Sequence, residues 1–240
     1  MGAPCGQARM DRRTKLREQH APDLLELVRP EIRRPLAGAS LLDLGCGLGT
    51  NSLPAARVVK SVVGVDIDPT CVRRARESAN REGLDNVEFR QGSALDLNES
   101  TFDIVLCDFV LEHVKDHERL VRVVANHLAP DGVYFLSTNN KWWPLEGHYG
   151  VPLPFVPFLP RPLADRIVRL LGLGSHYDIY PISLSGLTEL LDRNALTWKL
   201  KPPLHPYTLA QKVGKRLVGL SPWFWNIANV FPIVGNRLGG

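Results

Sequence analysis

Residues 41–49 read LLDLGCGLG, an apolar run followed at once by three alternating glycines. A short apolar run of this kind is typical of a buried strand. The glycines allow a tight turn and a close approach of the backbone to a ligand. A helical stretch follows near residues 51–59, and the N-terminus of a helix favours negative charge. The sequence therefore predicts a strand, a ligand-binding loop and a helix, in that order.

The same alternation of strand and helix continues beyond this loop. Short apolar runs predict four further strands, at 61–65, 87–90, 102–107 and 132–138. Helices are predicted between them, near 69–82 and 117–128, with Gly83 ending the first and a Pro130-Asp131-Gly132 turn following the second. Strands this short and apolar are typical of a parallel sheet covered on both faces. We therefore predict an α/β fold with a Rossmann-like, doubly wound, mostly parallel sheet.

The remainder of the chain is expected to complete one domain over residues 1–240. Its predicted parts are an N-terminal helical segment, a cofactor-binding core, an insert that covers the substrate, and C-terminal helices with closing strands, at 1–37, 38–140, 141–182 and 183–240. The N-terminal segment is expected to contain an amphipathic helix. Prolines and aromatic residues make regular structure unexpected over 139–162. Further helices and strands are predicted at 10–29, 162–171, 183–193 (capped by Ser183 or Ser185), 195–201 and 231–237.

Composition limits the classes of function. Hydrophobic residues make up 44% of the chain and charged residues 22%, which excludes disorder as a description of the whole. A net charge of +4 predicts no strongly basic face, so nucleic-acid binding is not expected. The four cysteines show no Cys-x-x-Cys pair, and residues 9–20 are charged where a signal peptide needs an apolar segment. We therefore expect reduced thiols in a cytoplasmic protein.

A second carboxylate accompanies the glycine loop. The apolar run VVGV (62–65) ends in Asp66, and a carboxylate at the tip of the second strand can accept hydrogen bonds from both hydroxyls of a ribose. Asp66 could instead cap the next helix, and Asp43 could bind loop amides. Dehydrogenases usually carry Gly-x-Gly-x-x-Gly, whereas Thr50 stands where the third glycine would be.

Five segments in order resemble the motifs of class I S-adenosylmethionine-dependent methyltransferases, of the type that modifies quinones, glycans and other small molecules. These segments are LLDLGCGLG (41–49), VVGVDIDP (62–69), NVEFRQGSALDL (86–97), FDIVLCDFVLEHV (102–114) and LAPDGVYFLST (128–138). The resemblance covers residues 38–140 and implies S-adenosyl-L-methionine as cofactor and a small-molecule or lipid-linked acceptor. The stretch after Cys107 lacks the Asn/Asp-Pro-Pro-aromatic motif of nucleobase enzymes, which also argues against a nucleic-acid acceptor.

The resemblance also implies roles for individual residues. The three loop glycines would lie beside the amino-acid end of the cofactor, with Asp43 fixing the loop or receiving the ammonium. The ribose and the adenine would be bound by the ends of the next strands. The implied cofactor-binding residues are Asp43, Gly45, Gly47, Gly49, Asp66 (ribose), Ile67 (adenine face), Ser93 and Ala94 (adenine edge) and Cys107 (through its carbonyl). Many family members carry Asp at the position of Ser93, which would be a stronger acceptor.

Two histidines are candidates for removing a proton from the acceptor. The segment that leaves strand five lies over the carboxyl ends of the strands, where substrates bind in such sheets. In this segment His148 could be the base, with Glu146 orienting its ring. His113, in LEHV, is the other candidate, and each histidine could instead be structural. His113 and His117 are four residues apart without the zinc-protease pattern, so no metal site is expected.

Two regions have open interpretations. Trp142, Trp143, Phe155 and Phe158 either line an apolar acceptor pocket or pack the insert onto the sheet. Residues 217–236 carry no charge, but their prolines disfavour a spanning helix, and Trp223, Phe224 and Trp225 are candidates for peripheral membrane contact. A nicotinamide-dinucleotide-dependent oxidoreductase and a non-catalytic cofactor-binding partner subunit remain alternatives for the whole chain. The sequence does not indicate an oligomeric state.

Overall fold

The computed structural model describes residues 21–97, 101–146, 148–149, 151, 153–201 and 232–237. Its helices are α1 (Ala21–Val28), α2 (Ser52–Ala56), α3 (Pro69–Glu82), α4 (His117–His127), α5 (Arg161–Leu170) and α6 (Leu184–Arg193). Its strands are β1 (Ser40–Leu44), β2 (Ser61–Asp66), β3 (Val87–Gln91), β4 (Phe102–Asp108), β5 (Leu128–Ser137), β6 (Leu145–Glu146), β7 (Leu153–Pro154), β8 (Lys199–Leu200) and β9 (Ile233–Asn236).

Seven of these strands form one sheet in the order β3-β2-β1-β4-β5-β9-β8. Strands β1 to β5 are parallel, and β9 pairs antiparallel with both β5 and β8. The strand order reverses between β1 and β4, and ligands of doubly wound sheets bind in the crevice at such a point. The predicted α/β fold with a mostly parallel sheet is confirmed.

Helices cover both faces of this sheet because side chains alternate along each strand. Leu42 and Leu44 of β1 pack with Leu120 of α4 on one face, which we call the α4 face. Leu41 packs with Ala55 of α2 on the opposite face, which we call the α2 face. The face on which a side chain lies, α4 or α2, therefore follows from counting alternate residues along its strand.

Several predicted helix ends are confirmed. Helix α3 has the predicted bounds, with Asp68 capping it by accepting from the Thr70 N–H at 2.8 Å and Gly83 ending it at φ 65°. Asp68 is thus the cap, and the alternative that Asp66 caps this helix is wrong. Ser183, and not Ser185, caps α6 by accepting from the Gly186 N–H.

The turn predicted at Pro130-Asp131-Gly132 lies inside strand β5 rather than before it, since the pairing with β4 passes from Leu128 directly to Val133. Strand β5 begins at Leu128, directly after α4, and runs through these residues. The pairing of β4 with β5 shifts register between Phe102 and Ile104. Such an irregularity admits a proline, which has no N–H to donate, into a strand.

Two other predicted elements are shorter than expected. Helix α2 ends at Ala56 because the N–H groups of Arg57 and Val58 donate to carbonyls three residues back, which tightens the last turn. The strand predicted over 195–201 is reduced to β8 and an isolated bridge at Leu196. Ala195 lies outside it, with a left-handed φ of 54°.

The insert contains more regular structure than predicted over 139–162. Strands β6 and β7 form a short antiparallel pair, and a 3₁₀ turn follows at Val156–Phe158 before α5 begins. Its buried side chains form a separate cluster of Tyr149, Leu153, Val156, Ala164, Val168, Tyr177 and Ile179. The insert is therefore packed around its own small core.

The ends of the chain are described in part. The predicted closing strand is confirmed as β9. The predicted helix over 10–29 is observed from Ala21 to Val28, and its earlier residues lie outside the described ranges. Trp223, Phe224 and Trp225, the candidates for membrane contact, also lie outside these ranges. Within the described ranges, no helix combines the length and the apolar character that a membrane span needs.

Candidate active site

The glycine loop is tied to the end of β2. The N–H groups of Gly45 and Cys46 both donate to the Val65 carbonyl, at 2.8 and 3.0 Å. The Gly47 N–H donates to Asp66 Oδ2 at 2.7 Å. The loop that follows β1 is therefore held over the neighbouring strand, at the carboxyl edge of the sheet.

The three glycines have positive φ angles but different surroundings. A Cβ on Gly45 would lie 2.5 Å from Val110 Cγ2, and one on Gly49 would lie 2.8 Å from Phe89 Cζ. A Cβ on Gly47 would have no heavy atom within 4 Å. Packing against Val110 and Phe89 thus requires glycine at positions 45 and 49. Gly47 alone of the three presents bare backbone to open space, as a loop that binds a ligand closely must.

The Asp43 side chain is buried and does not face the open space beside Gly47. It is 1% exposed, and its Oδ2 accepts from the Ser52 hydroxyl at 2.5 Å. Like Leu41, it lies on the α2 face, so this contact joins β1 to α2. The geometry favours the first of its two predicted roles, fixing the loop, over receiving a ligand's ammonium.

The ends of β2 and β3 bring the other predicted cofactor residues together. Asp66 pairs in register with Gln91, and its Oδ1 accepts from the Asp68 N–H at 2.9 Å. Ile67 is 73% exposed at the rim of this edge. Ser93 caps the 3₁₀ turn Ala94–Asp96 by accepting from the Leu95 N–H at 3.1 Å. These residues line one side of the crevice, with Ser93 already engaged as an acceptor.

The described cysteines have buried thiols with raised pKa values. Cys107 is fully buried, and burial raises the pKa of its thiol well above the ordinary value. Burial also raises the pKa of Cys46, and that of Cys71 to about 12. All three are free of disulfides. Cys107 can therefore serve a ligand through its backbone and not through a thiolate.

A buried carboxylate lies beside both candidate histidines. Glu112 is fully buried, and its Oε2 accepts from the Thr138 hydroxyl at 3.0 Å. Its Oε1 lies 3.4 Å from Nε2 of His148, whose side chain is 15% exposed. The rings of His113 and His148 meet edge-on, with centroids 5.1 Å apart. The structure thus joins the two predicted candidates into one cluster around Glu112.

Glu112 itself was missed by the sequence prediction. Glu146 was expected to orient His148, but its side chain lies outside the described part of the structure. The available signal was a charged residue between Leu111 and Val114, in an otherwise apolar stretch. A buried charge needs a partner, and that partner comes from the insert, far along the chain.

The cluster could also hold a cation. Ligand atoms of Glu112, His113 and His148 lie within 4.8 Å of one another. His117, considered above with His113, takes no part, because its Nε2 lies 2.9 Å from the Tyr180 carbonyl and must carry a hydrogen. Burial lowers the pKa of His117. The absence of a metal therefore stays a prediction.

Comparisons with known proteins identify the family of the chain. The profile of a methyltransferase-domain family matches residues 42–136. A ubiquinone biosynthesis O-methyltransferase of Rhizobium etli is 40% identical over 71% of each chain. One from Xanthomonas euvesicatoria pv. vesicatoria is 36% identical over 66% of this chain, which spans 62% of that relative's length.

A solved structure shares the fold. An S-adenosylmethionine-dependent methyltransferase from Mesorhizobium loti superposes with a TM-score of 0.62 over 91% of this chain and 97% of that one, at 18% identity. This likeness concerns the fold alone, and the family rests on the sequence relatives. The chain belongs to the class I S-adenosylmethionine-dependent methyltransferases.

Proposed function

We propose that this protein transfers a methyl group from S-adenosylmethionine to a hydroxyl oxygen of a quinone-like small-molecule or lipid-linked acceptor. The observation that carries the proposal is the buried Glu112 against His148, next to the glycine-loop crevice. A hydroxyl acceptor needs such a group because its proton must leave as the methyl arrives. The names of the relatives, ubiquinone biosynthesis O-methyltransferases, support this substrate class.

The cofactor would supply a methyl group already activated on a sulfonium, so the protein's task is orientation. Gly47 leaves its backbone open on one side of the crevice. Asp66 would accept from the ribose, with Ile67 on an adenine face. Ser93, Ala94 and the Cys107 carbonyl complete the proposed cofactor site.

His148 is proposed as the base. A carboxylate beside Nε2 favours the tautomer with the proton on Nε2, so Nδ1 keeps its lone pair. The Asn139 amide nitrogen lies 3.3 Å from both ring nitrogens of His148, Nδ1 and Nε2. An acceptor hydroxyl would take the place of this amide and give its proton to Nδ1, and Glu112 would stabilise the resulting imidazolium. His113, edge-on to the same ring, is the second candidate.

Two measurements on the purified protein test the proposal. Calorimetric titration with S-adenosylhomocysteine and, separately, with nicotinamide dinucleotides should give binding to the first alone. Transfer of a labelled methyl group to a catechol-type quinol should give an O-methylated product. Binding of a nicotinamide cofactor would favour the oxidoreductase, and cofactor binding without transfer to any hydroxyl acceptor would favour the non-catalytic subunit.

A second role for the cluster is tested in the same assay. The spacing of Glu112, His113 and His148 suits a divalent cation as well as a base. Turnover that survives EDTA is expected for a base. Turnover that EDTA abolishes and Mg²⁺ restores would instead assign the cluster to a bound cation.

Peripheral contact with a membrane is a further part of the proposal, since a lipid-linked acceptor would be met there. On the insert, Trp142 is 53%, Phe155 64% and Phe158 44% exposed, which argues against their packing on the sheet. Lys141 Nζ lies 5.6 Å from the Trp142 ring centroid, so a cation accompanies the aromatics. The protein should float with anionic liposomes, and no flotation would contradict the proposal. A cytoplasmic location is proposed with it, since the described cysteines are free.

A further inference from the structure

Asp108 ends β4 with its carboxylate held from two sides. The hydroxyl of Ser137, its register partner at the end of β5, donates to Oδ1. The Asn51 amide donates to Oδ2 at 3.3 Å. Asn51 directly precedes α2, so the carboxylate spans from β5 to the end of the glycine loop. The mechanism proposed above makes no use of this arrangement.

The alternation of side chains places Asp108 on the α2 face. Ile104 and Leu106 of β4 pack on that face, so the next alternate residue, Asp108, faces the same way. Phe135 of β5 also packs on the α2 face, so Ser137, two residues further along the strand, lies on that face as well. Thr138, one residue on, faces the opposite way and holds Glu112. The hydroxyls of Ser137 and Thr138 therefore orient two carboxylates. Ser137 holds Asp108 toward the glycine loop, and Thr138 holds Glu112 toward the insert.

Asp108 lies at the crevice where the strand order reverses. Leu44 pairs with Cys107, so Gly45 and Asp108 are the next residues along these neighbouring strands. The following loop packs on the glycine loop, because Val110 occupies the place of a Cβ on Gly45. Asp108 is partly exposed and lies at the same carboxyl edge of the sheet as the glycine loop.

The negative charge of the Asp108 carboxylate indicates that its ligand would be a cationic group. Of the carboxylates described around the glycine loop, Asp43 is buried and Asp66 lies on the β2 side. Asp108 faces the loop from the β4 side. The amino-acid end of S-adenosylmethionine carries an ammonium, which forms its strongest hydrogen bonds with an ionised carboxylate. We propose that Asp108 receives this ammonium and so selects ligands that carry it.

Calorimetric titration of the Asp108→Asn variant with three probes tests this proposal. The substitution keeps the shape of the side chain and removes its charge. Affinity for S-adenosylhomocysteine should fall roughly ten- to a hundredfold. Affinity for methylthioadenosine, which lacks the amino-acid end, should be unchanged. The analogue of S-adenosylhomocysteine without its amino group should bind the parent weakly and the variant equally weakly.

The controls separate binding from structure. Asp131→Asn makes the same charge change at the amino end of β5, where Asp131 pairs with Arg33, and should leave all three affinities unchanged. Unaltered binding of S-adenosylhomocysteine by Asp108→Asn would overturn the proposal. So would an equal loss for methylthioadenosine, which would indicate that Asp108 only shapes the loop. Failure of the parent to bind S-adenosylhomocysteine would instead refute the cofactor site itself.

Discussion

The two sides of the crevice are built from different kinds of contact. On the cofactor side, formed by the glycine loop and the ends of β2 and β3, backbone amides donate to carbonyls and to Asp66. On the acceptor side, formed by residues 109–113 and the insert 141–182, side chains meet around the buried Glu112. The residues proposed for cofactor binding and for proton removal thus lie on separate elements. Substitutions should therefore separate cofactor affinity from turnover.

His148→Ala should have the largest effect on turnover, because it removes the proposed base while leaving the cofactor side intact. We expect turnover to fall by roughly two to four decades, with unchanged affinity for S-adenosylhomocysteine. His176→Ala is a matched control, since His176 is exposed and contacts Ser175. A loss of tenfold or less, without the titration of an imidazole in the pH–rate profile, would make His148 structural and favour His113.

Asp66→Ala should have the converse effect. It removes two proposed hydrogen bonds to the ribose, each worth about 1.5–3 kcal/mol if charge-assisted. Affinity for S-adenosylhomocysteine should fall by roughly one to several decades, measured by calorimetry, while the protein remains folded. Asp68→Ala is the control, because it removes the cap of α3 and should lower stability by about 1 kcal/mol with little effect on affinity. Parent-like binding by Asp66→Ala would refute the nucleoside assignment.

Gly45→Ala and Gly47→Ala compare two glycines of one loop. Both variants meet the strain of a positive φ, about 1–2 kcal/mol. The new methyl on Gly45 would also clash with Val110, and overpacking adds roughly 1–3 kcal/mol. Urea denaturation should therefore show the larger loss of stability for Gly45→Ala. Gly47→Ala should remain folded and bind S-adenosylhomocysteine more weakly, and equal stabilities would contradict the packing described here.

His117→Gln should have the smallest effect, confined to the pH dependence of stability. Burial lowers the pKa of His117 in the folded protein, so the unfolded chain binds the proton first as the pH falls. Stability is then lost as the pH falls through the ordinary histidine pKa of about 6.5. Glutamine can still donate to the Tyr180 carbonyl without titrating. Thermal denaturation between pH 8 and pH 5.5 should show a shallower decline for the variant, and identical profiles would exclude this contribution.

The cofactor side could be predicted from the sequence because local signals define it. The glycines need positive φ, and Asp66 stands at the end of an apolar run. Proline and glycine mark both ends of α3. Each of these features is set by residues a few positions apart, so the strand–loop–helix order could be inferred without knowing which distant segments meet.

The acceptor side could not be predicted in the same way. Glu112 and His148 are joined only by the folding of the insert, and Asp108 gains its partners from Ser137 of β5 and from Asn51, which precedes α2. Such contacts depend on strand order and on which face each side chain takes. The start of β5 was also missed, because Pro130 signals a turn locally, whereas Leu128, before that turn, already pairs with Phe102 of β4.

The position of β9 has a consequence for synthesis. β9 lies between β5 and β8, and among the described residues β8 pairs with no other strand. While the chain emerges from the ribosome, the apolar edge of β5 stays open until Asn236 has appeared. An open edge is a template for pairing with another chain. The interval of exposure to aggregation therefore runs from the synthesis of β5 to the synthesis of β9, and a chaperone that shields this edge would act within it.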